Sequence, residues 1–159
     1  MLEQSNNYVN EGGSQEDKIP SALSDNAGFL LNQTARLIRE RIIAALAPLK
    51  LTPRELGLLR ILGSGKALSQ QALGARHRID RTTIVDLIDD LQARDLVSRL
   101  ENPQDRRSYL IHLTPKGKRT LTKAVRVAQK VQEEFLTPLA AGEWETLQAL
   151  LTKLIEYHL

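Results

Sequence analysis

The stretch that decides the fold is residues 80–113, DRTTIVDLIDDLQARDLVSRLENPQDRRSYLIHL. Its first part carries Ile84, Leu87, Ile88 and Leu91 at i, i+3, i+4 and i+7, one apolar stripe of an amphipathic helix, with Asp80 placed as its cap. Beyond Arg94 the period shortens, and residues 97–101 and 109–113 read as two short strands joined by a polar tip over 102–108. Just upstream, Ser69 can cap a short helix carrying Ala72 and Leu73, and a polar connector over 76–79 leads into the Asp80 helix. Two helices in quick succession, the first short and the second longer, make a helix-turn-helix candidate, and the hairpin attached to it is a wing.

Working outward, Ala27, Leu30, Leu31, Ile38, Ile42, Ala45 and Leu46 recur at helical spacing from a cap at Ser24 or Asp25 until Pro48. A second helix opens with Thr52 as N-cap, Pro53 at the first position and Glu55 able to close a capping box, with Leu51 and Leu56 spaced as a hydrophobic staple; it ends at Gly63 or Gly65. Downstream, Thr114 and Pro115 open a long helix that turns Leu121, Val125, Ala128, Val131 and Phe135 inward and stops at Pro138. The last helix follows Gly142 and uses Leu147, Leu151, Leu154 and Ile155. The expected architecture is therefore mainly α: six helices plus one β-hairpin, with no internal repeat. The first and last two helices carry more apolar surface than so small a module can cover, which points to packing against a second copy; the alternative is that they fold back on their own chain.

Composition narrows the function. At 159 residues, with 42% apolar and 26% charged residues, the chain fits one globular domain, and it has no run of 18 apolar residues that would span a membrane. Residues 1–20 hold too little apolar area to offset ordering entropy and read as a flexible arm, leaving residues 24–158 as the domain. With no basic start followed by an apolar stretch, the expected compartment is the cytoplasm. Cysteine is absent, which removes disulfides, thiolate zinc sites and thiol redox sensing together, and the sole methionine is Met1. His77, His112 and His158 are too far apart in sequence to suggest convergent ligands, so neither metal nor cofactor is expected. A phosphate-binding Gly-rich loop, a Gly-x-Ser-x-Gly turn and a His-Glu-x-x-His helix are all missing, and no catalytic residue is assigned.

Charge is distributed unevenly. The formal net charge is +3, but residues 1–23 contribute −3, so the remainder is +6. The Asp80 helix itself is acidic: Asp80, Asp86, Asp89 and Asp90 outweigh Arg81 and Arg94 over residues 80–94. Its outward face, with Thr82, Val85, Asp86, Asp89 and Ala93 and with Arg81 and Thr83 at the first turn, has the shape to enter a major groove, where Thr or Arg can meet base edges. Docking on a polyanion then depends on flanking cations: Arg76 and Arg78 in the turn, Arg99, Arg106 and Arg107 in the hairpin, and Lys116, Lys118 and Arg119 beyond it. Asp80 is explained as a cap, Asp89 or Asp90 can pair with arginines, and Asp86 is either a solvated acid or an acceptor for cytosine N4. Two adjacent arginines on a narrow turn suit a minor groove, although a lone Arg-Arg pair is more usually a solvent-exposed turn with incidental charge.

Taken together, LSQQALG (68–74), DRTTIVDLIDDL (80–91) and DLV (95–97) resemble the core of the MarR family of regulators. The stretch NPQDRRSYLIHLTPKG (102–117) is similar to that family's wing signature, an Asp, any residue, an Arg, five residues, then Leu-Thr. The resemblance covers residues 24–158 and implies a two-fold dimer, with residues 50–115 as the DNA-reading lobe and residues 24–48 and 116–158 as dimerisation helices. It implies reading helices in successive major grooves of a pseudo-palindrome, about 34 Å apart, with wings in the neighbouring minor grooves. By position, Ser69, Gln70 and Gln71 look like backbone anchors, Arg81, Thr82 and Thr83 like base or phosphate readers, and Arg107 like the wing arginine with Asp105 orienting it. Asp86 stands where the family often has a basic residue, so base specificity does not carry over. The resemblance also implies release from DNA by a small, often aromatic, anion in a crevice drawing on the first helix, the second helix and the Thr114 helix, where Arg36, Arg39 and Arg60 are the candidate partners. The rival reading is a winged-helix module used for protein contact.

Overall fold

The computed structural model describes residues 19–65, 67–103, 105 and 108–159. Among them run α1 (Ala27–Leu46), α2 (Pro53–Gly63), β1 (Leu68–Ser69), α3 (Gln70–His77), α4 (Arg81–Ala93), β2 (Val97–Glu101), β3 (Tyr109–Leu113), α5 (Pro115–Phe135) and α6 (Glu143–Tyr157). The fold class is thus mainly helical, with six α-helices among the described residues, but the expected hairpin is a three-stranded antiparallel sheet in the order β1-β3-β2. β1 pairs Leu68 with Ile111 and Ser69 with Leu110, while β2 and β3 align Val97 with Leu113 and Glu101 with Tyr109. The arm expected over residues 1–20 lies, apart from Ile19 and Pro20, outside the described residues.

The described residues 19–35 belong to one unit. Within it, α1 is capped by Asn26, whose Oδ1 accepts the Phe29 N–H at 2.8 Å, and not by Ser24 or Asp25 as expected. Ser24 precedes that position by two residues, and Pro20 to Leu23 is already committed to a tight turn closed by the Leu23 N–H on the Pro20 carbonyl. A carboxamide at Asn26 is as good a cap as a hydroxyl or carboxylate, so residue type alone did not choose among the three.

Residues 36–159 form the second unit and contain the core. Thr52 and Glu55 close the expected capping box: the Glu55 N–H donates to Thr52 Oγ1 at 3.2 Å, and the Thr52 N–H donates to Glu55 Oε2 at 2.6 Å. The staple residues Leu51 and Leu56 are both buried. From α4 the stripe residues Ile84, Ile88 and Leu91 are buried against Leu58, Leu59 and Leu73, with Val97 and Ile111 adding the inner face of the sheet. Each such side chain contributes about 1.5–3 kcal/mol of transfer free energy, which makes this stripe the main force holding α4 at a fixed angle. Thr114 caps α5 through the Gly117 N–H at 2.9 Å, and Gly142, with φ 86°, starts α6. In α6 no residue is buried; Leu150, Leu154 and Ile155 are more than half exposed.

Candidate nucleic-acid interface

The approach from α3 to α4 is built by backbone geometry. Ser69 Oγ accepts the Ala72 N–H at 3.2 Å, which makes Ser69 the cap of α3. The helix ends at Arg78 in the left-handed region (φ 53°), and the Ile79 N–H returns to the Gly74 carbonyl at 2.9 Å. A Cβ on Gly74 would lie 3.1 Å from the Ile79 carbonyl oxygen, so the close turn depends on a glycine there. Asp80 then caps α4 twice over: Oδ1 accepts the Thr83 N–H at 2.9 Å and Oδ2 the Thr83 hydroxyl at 2.6 Å. The Thr83 hydroxyl first, and the Thr83 N–H second, hold the Asp80 carboxyl below its ordinary value of 3.8.

That depression sets a pH dependence. A carboxyl lowered in the folded state contributes stability that is fully present above its unfolded value and is lost as pH falls through the folded one. Asparagine caps without titrating, so the thermal stability difference between wild type and Asp80→Asn should narrow as pH is lowered through and below 3.8. Circular dichroism melts across pH 2.5 to 6, on the order of the carboxylate range, check this; a constant gap would mean the charge plays no part in the cap.

The outward face of α4 presents Arg81, Thr82, Val85, Asp86 and Asp89 to solvent, while Thr83 is half-buried by its bond to Asp80. Gln71 is exposed and Gln70 half-buried, with Gln70 Nε2 buried and lacking a hydrogen-bond partner among the described residues. Between α3, the start of α4 and the hairpin lies a cleft of about 720 Å³ bordered by Gln70, Gln71, Arg81, Val85, Asn102 and Tyr109. The hairpin narrows beyond Glu101, where the Asn102 N–H meets the Ser108 carbonyl at 3.3 Å and Asn102 Nδ2 donates to Ser108 Oγ at 2.8 Å. Asp105 is exposed at the tip. Arg106 and Arg107, the central cations of the wing reading, lie outside the described residues.

Two of the expected flanking cations are committed within the protein. Arg99 donates to Asp89 Oδ1 at 2.5 Å and to Gln92 Oε1 at 2.6 Å, and its side chain is only 22% exposed. It therefore braces β2 against α4. Lys116 Nζ donates to the Arg94 carbonyl at 2.7 Å. Arg76, Arg78, Arg81, Lys118 and Arg119 are exposed. Both acids suggested as arginine partners act as such, Asp89 with Arg99 and Asp90 with Arg94 at 2.6 Å. Gln92, Asn102 and Tyr109 escaped sequence reasoning, because what links them to this surface is the packing of β2 and β3 against α3 and α4.

None of the three arginines offered for an effector lines the cleft beside α4 or the cavity between α2, β3 and α5. Arg36 pairs with Glu40 one turn along α1 at 2.8 Å, and Arg39 and Arg60 are exposed on α1 and α2. Among the described residues no helix is long and apolar enough to cross a membrane, and no cluster of His, Asp or Glu could hold a metal ion.

Known proteins agree with this geometry. The family model for the MarR family matches residues 51–109, from just before α2 to the first residue of β3. The chain is 33% identical over 103 residues to a protein assigned to regulation of the hcr operon in Thauera aromatica, a stretch covering 65% of this chain and 62% of that relative. Among solved structures it resembles the transcriptional repressor CouR bound to a 23-mer DNA duplex, at 30% identity and a TM-score of 0.76 over 87% of this chain and 96% of that one. A Bordetella bronchiseptica structure, BpsR, whose DNA binding is regulated by 6-hydroxynicotinic acid, is 27% identical with a TM-score of 0.76 over 85% and 96%. The chain belongs to the MarR family of winged-helix, DNA-binding transcriptional regulators. Its relatives are regulators and not enzymes.

Proposed function

We propose that the chain is a cytoplasmic repressor that binds pseudo-palindromic duplex DNA as a homodimer and is released by a small aromatic or anionic ligand. The observation that carries this reading is the outward face of α4, capped at Asp80 and set beside a hairpin whose tip sequence is Asp105-Arg106-Arg107. In this reading Arg81, Thr82 and Thr83 meet the major groove, Asp86 biases base choice, and Ser69, Gln70, Gln71 and Arg78 line the phosphate backbone. Asp105 orients Arg107 in the minor groove, with Arg106 beside it. Arg99 is paired with Asp89 and Lys116 with the Arg94 carbonyl, so the exposed cations left for docking are Arg76, Arg78, Arg81, Lys118 and Arg119, together with the arginines of the wing sequence.

Dimerisation is supported by α6, which leaves Leu150, Leu154 and Ile155 more than half exposed in a single copy. Residues 24–48 and 116–158 would cover one another across the two-fold axis, while residues 50–115 read DNA. CouR, a repressor seen on a duplex, and BpsR, regulated by 6-hydroxynicotinic acid, lend weight to the DNA and effector parts.

The test is salt-dependent binding to duplexes selected from a random pool, read together with the number of chains per site. Arg107→Ala should weaken binding by roughly 1–3 kcal/mol and lower the salt slope by about one unit per wing, with the melting temperature unchanged. Unaltered affinity and slope would take the wing out of the mechanism. Absence of any salt-dependent duplex binding would favour a module for protein contact.

A further inference from the structure

We infer that the outward face of α5 holds the phosphate backbone of the duplex DNA that flanks the site read by α4. Lys116, Arg119, Lys123, Arg126 and Lys130 follow one another at i, i+3, i+7, i+10 and i+14, so these cations stand in a single row along one face of the helix. All of them are exposed, and helical spacing puts the row opposite Gly117, Ala124 and Ala128, the residues that α5 buries. At 1.5 Å per residue the row runs for about 21 Å.

Its charge has one sign. No acid occurs in α5 before Glu133, whereas a helix face that serves only to meet water commonly alternates its charges and pairs them along its own turns. Among the described residues, Arg119, Lys123 and Arg126 enter no ion pair. Lys130 approaches Glu134 at 3.8 Å with both side chains exposed, a contact too weak to withdraw it from the row. Lys116 keeps its charge while Nζ donates to the Arg94 carbonyl at 2.7 Å, which ties the start of the row to the end of α4.

Duplex DNA fits this face in length, sign and position. Each strand carries one phosphate per 3.4 Å of helix axis, so a row of about 21 Å faces about six negative charges. The row also starts at the foot of the winged module, where Gly117 is packed on the Leu96 carbonyl just before β2. The reading helix is a poor source of attraction for phosphate, with Asp80, Asp86, Asp89 and Asp90 against Arg81 and Arg94, so affinity has to be drawn from cations elsewhere. A second copy of the chain is a poor occupant, because two such rows laid together would set like charges face to face. This extension rests on the DNA-binding reading above and is independent of the effector.

The full-length protein should be compared on a duplex of about 24 base pairs centred on its selected site, enough for two half-sites one turn apart, and on the same site lengthened by arbitrary sequence at both ends. An added length of about 12 base pairs per end exceeds the reach of the row. The longer duplex should bind more tightly, with a salt slope steeper by about three units for three further phosphates at about 0.9 each, so that its advantage falls about 40-fold between about 50 and 200 mM salt. The triple variant Lys123→Gln, Arg126→Gln, Lys130→Gln should lose that advantage and bind the short duplex as wild type does, with its melting temperature unchanged because all three side chains are exposed. Hydroxyl-radical footprints of the wild-type complex should reach about six base pairs past the short site at each end, the length that the row spans, and recede in the variant.

Equal affinity and slope of wild type on the two duplexes, with no protection in the flanks, would overturn the assignment and leave the row to an acidic protein segment. So would a variant that weakens both duplexes by the same factor, since that reports net charge and not contact. A variant that matches wild type on the long duplex would overturn it as well. In each case binding of the short duplex spares the DNA-binding reading, whereas failure of the short duplex to bind at all would sink both.

Discussion

Gly117→Ala should lower stability by about 3 kcal/mol, a fall in melting temperature of about 6–12 °C for a chain of this size. A methyl at this position would lie 1.9 Å from the Leu96 carbonyl oxygen and 2.9 Å from its carbon. Neither atom can swing aside as a side chain would. The Leu96 carbonyl accepts the Thr114 N–H at 3.1 Å, and Gly117 donates its own N–H to Thr114 Oγ1 at 2.9 Å, so moving either segment breaks the start of α5. Helix propensity works the other way, favouring Ala over Gly by about 1 kcal/mol, and is outweighed. Gly28→Ala is the matched control: it too is helical, but its nearest neighbour would be Asn26 Oδ1 at 3.4 Å, an ordinary contact, so it should be neutral or slightly stabilising. Thermal melts of the two variants decide the matter, and a shift under about 2 °C for Gly117→Ala, below one kcal/mol, would mean that β2 and α5 slide apart at little cost. Because Leu96 leads directly into the wing strand, the variant should also loosen DNA binding even where the helix-turn-helix remains folded.

What could be read from the chain in advance was whatever is written in local chemistry. Thr52, Ser69, Asp80 and Thr114 cap helices because each precedes an apolar-periodic run and can reach the amide three residues on, a relation contained in a few residues. The strands at Val97–Glu101 and Tyr109–Leu113 likewise follow from a change of period around one polar tip. The two-residue strand Leu68–Ser69 was hidden, since no alternation can show in two residues and its partner β3 lies some forty positions on, by the register of Leu68 with Ile111. The same holds for the interface. That Arg81, Thr82, Val85 and Asp86 share the outward face of α4 follows from helical spacing, and the structure leaves them exposed. That Arg99 belongs to Asp89 and Gln92 requires knowing how β2 returns along α4. Counting cations along the chain does not reveal that two of them, Arg99 and Lys116, are hydrogen-bonded within the protein.

The second large effect is expected at Arg94, where the end of α4 is fastened to three other segments. Its guanidinium donates to the Lys50 carbonyl, to Glu55 Oε1 and to Asp90 Oδ2, while its carbonyl accepts Lys116 Nζ. Glu55 is the partner that matters most, because its side chain is 5% exposed and its second oxygen is already engaged by the Thr52 N–H of the capping box. Arg94→Met keeps much of the aliphatic contact and strands a buried carboxylate, a change that costs 3–5 kcal/mol in fully buried pairs. Arg94 is 26% exposed, so water can partly replace it and a loss of about 3 kcal/mol, the low end of that range, is expected. Glu55→Gln, which retains the cap without the charge, should cost less, and the double variant should fall short of the sum of the two singles by about 1 kcal/mol or more. Urea unfolding at constant m gives these differences directly. If the two changes simply add, and each is worth under about 1 kcal/mol, the pair behaves like an exposed one and α4 is held by its apolar stripe alone. If they couple as expected, the angle at which α4 leaves the core is set at both ends, by the Asp80 cap at its start and by Arg94 anchored to the base of α2.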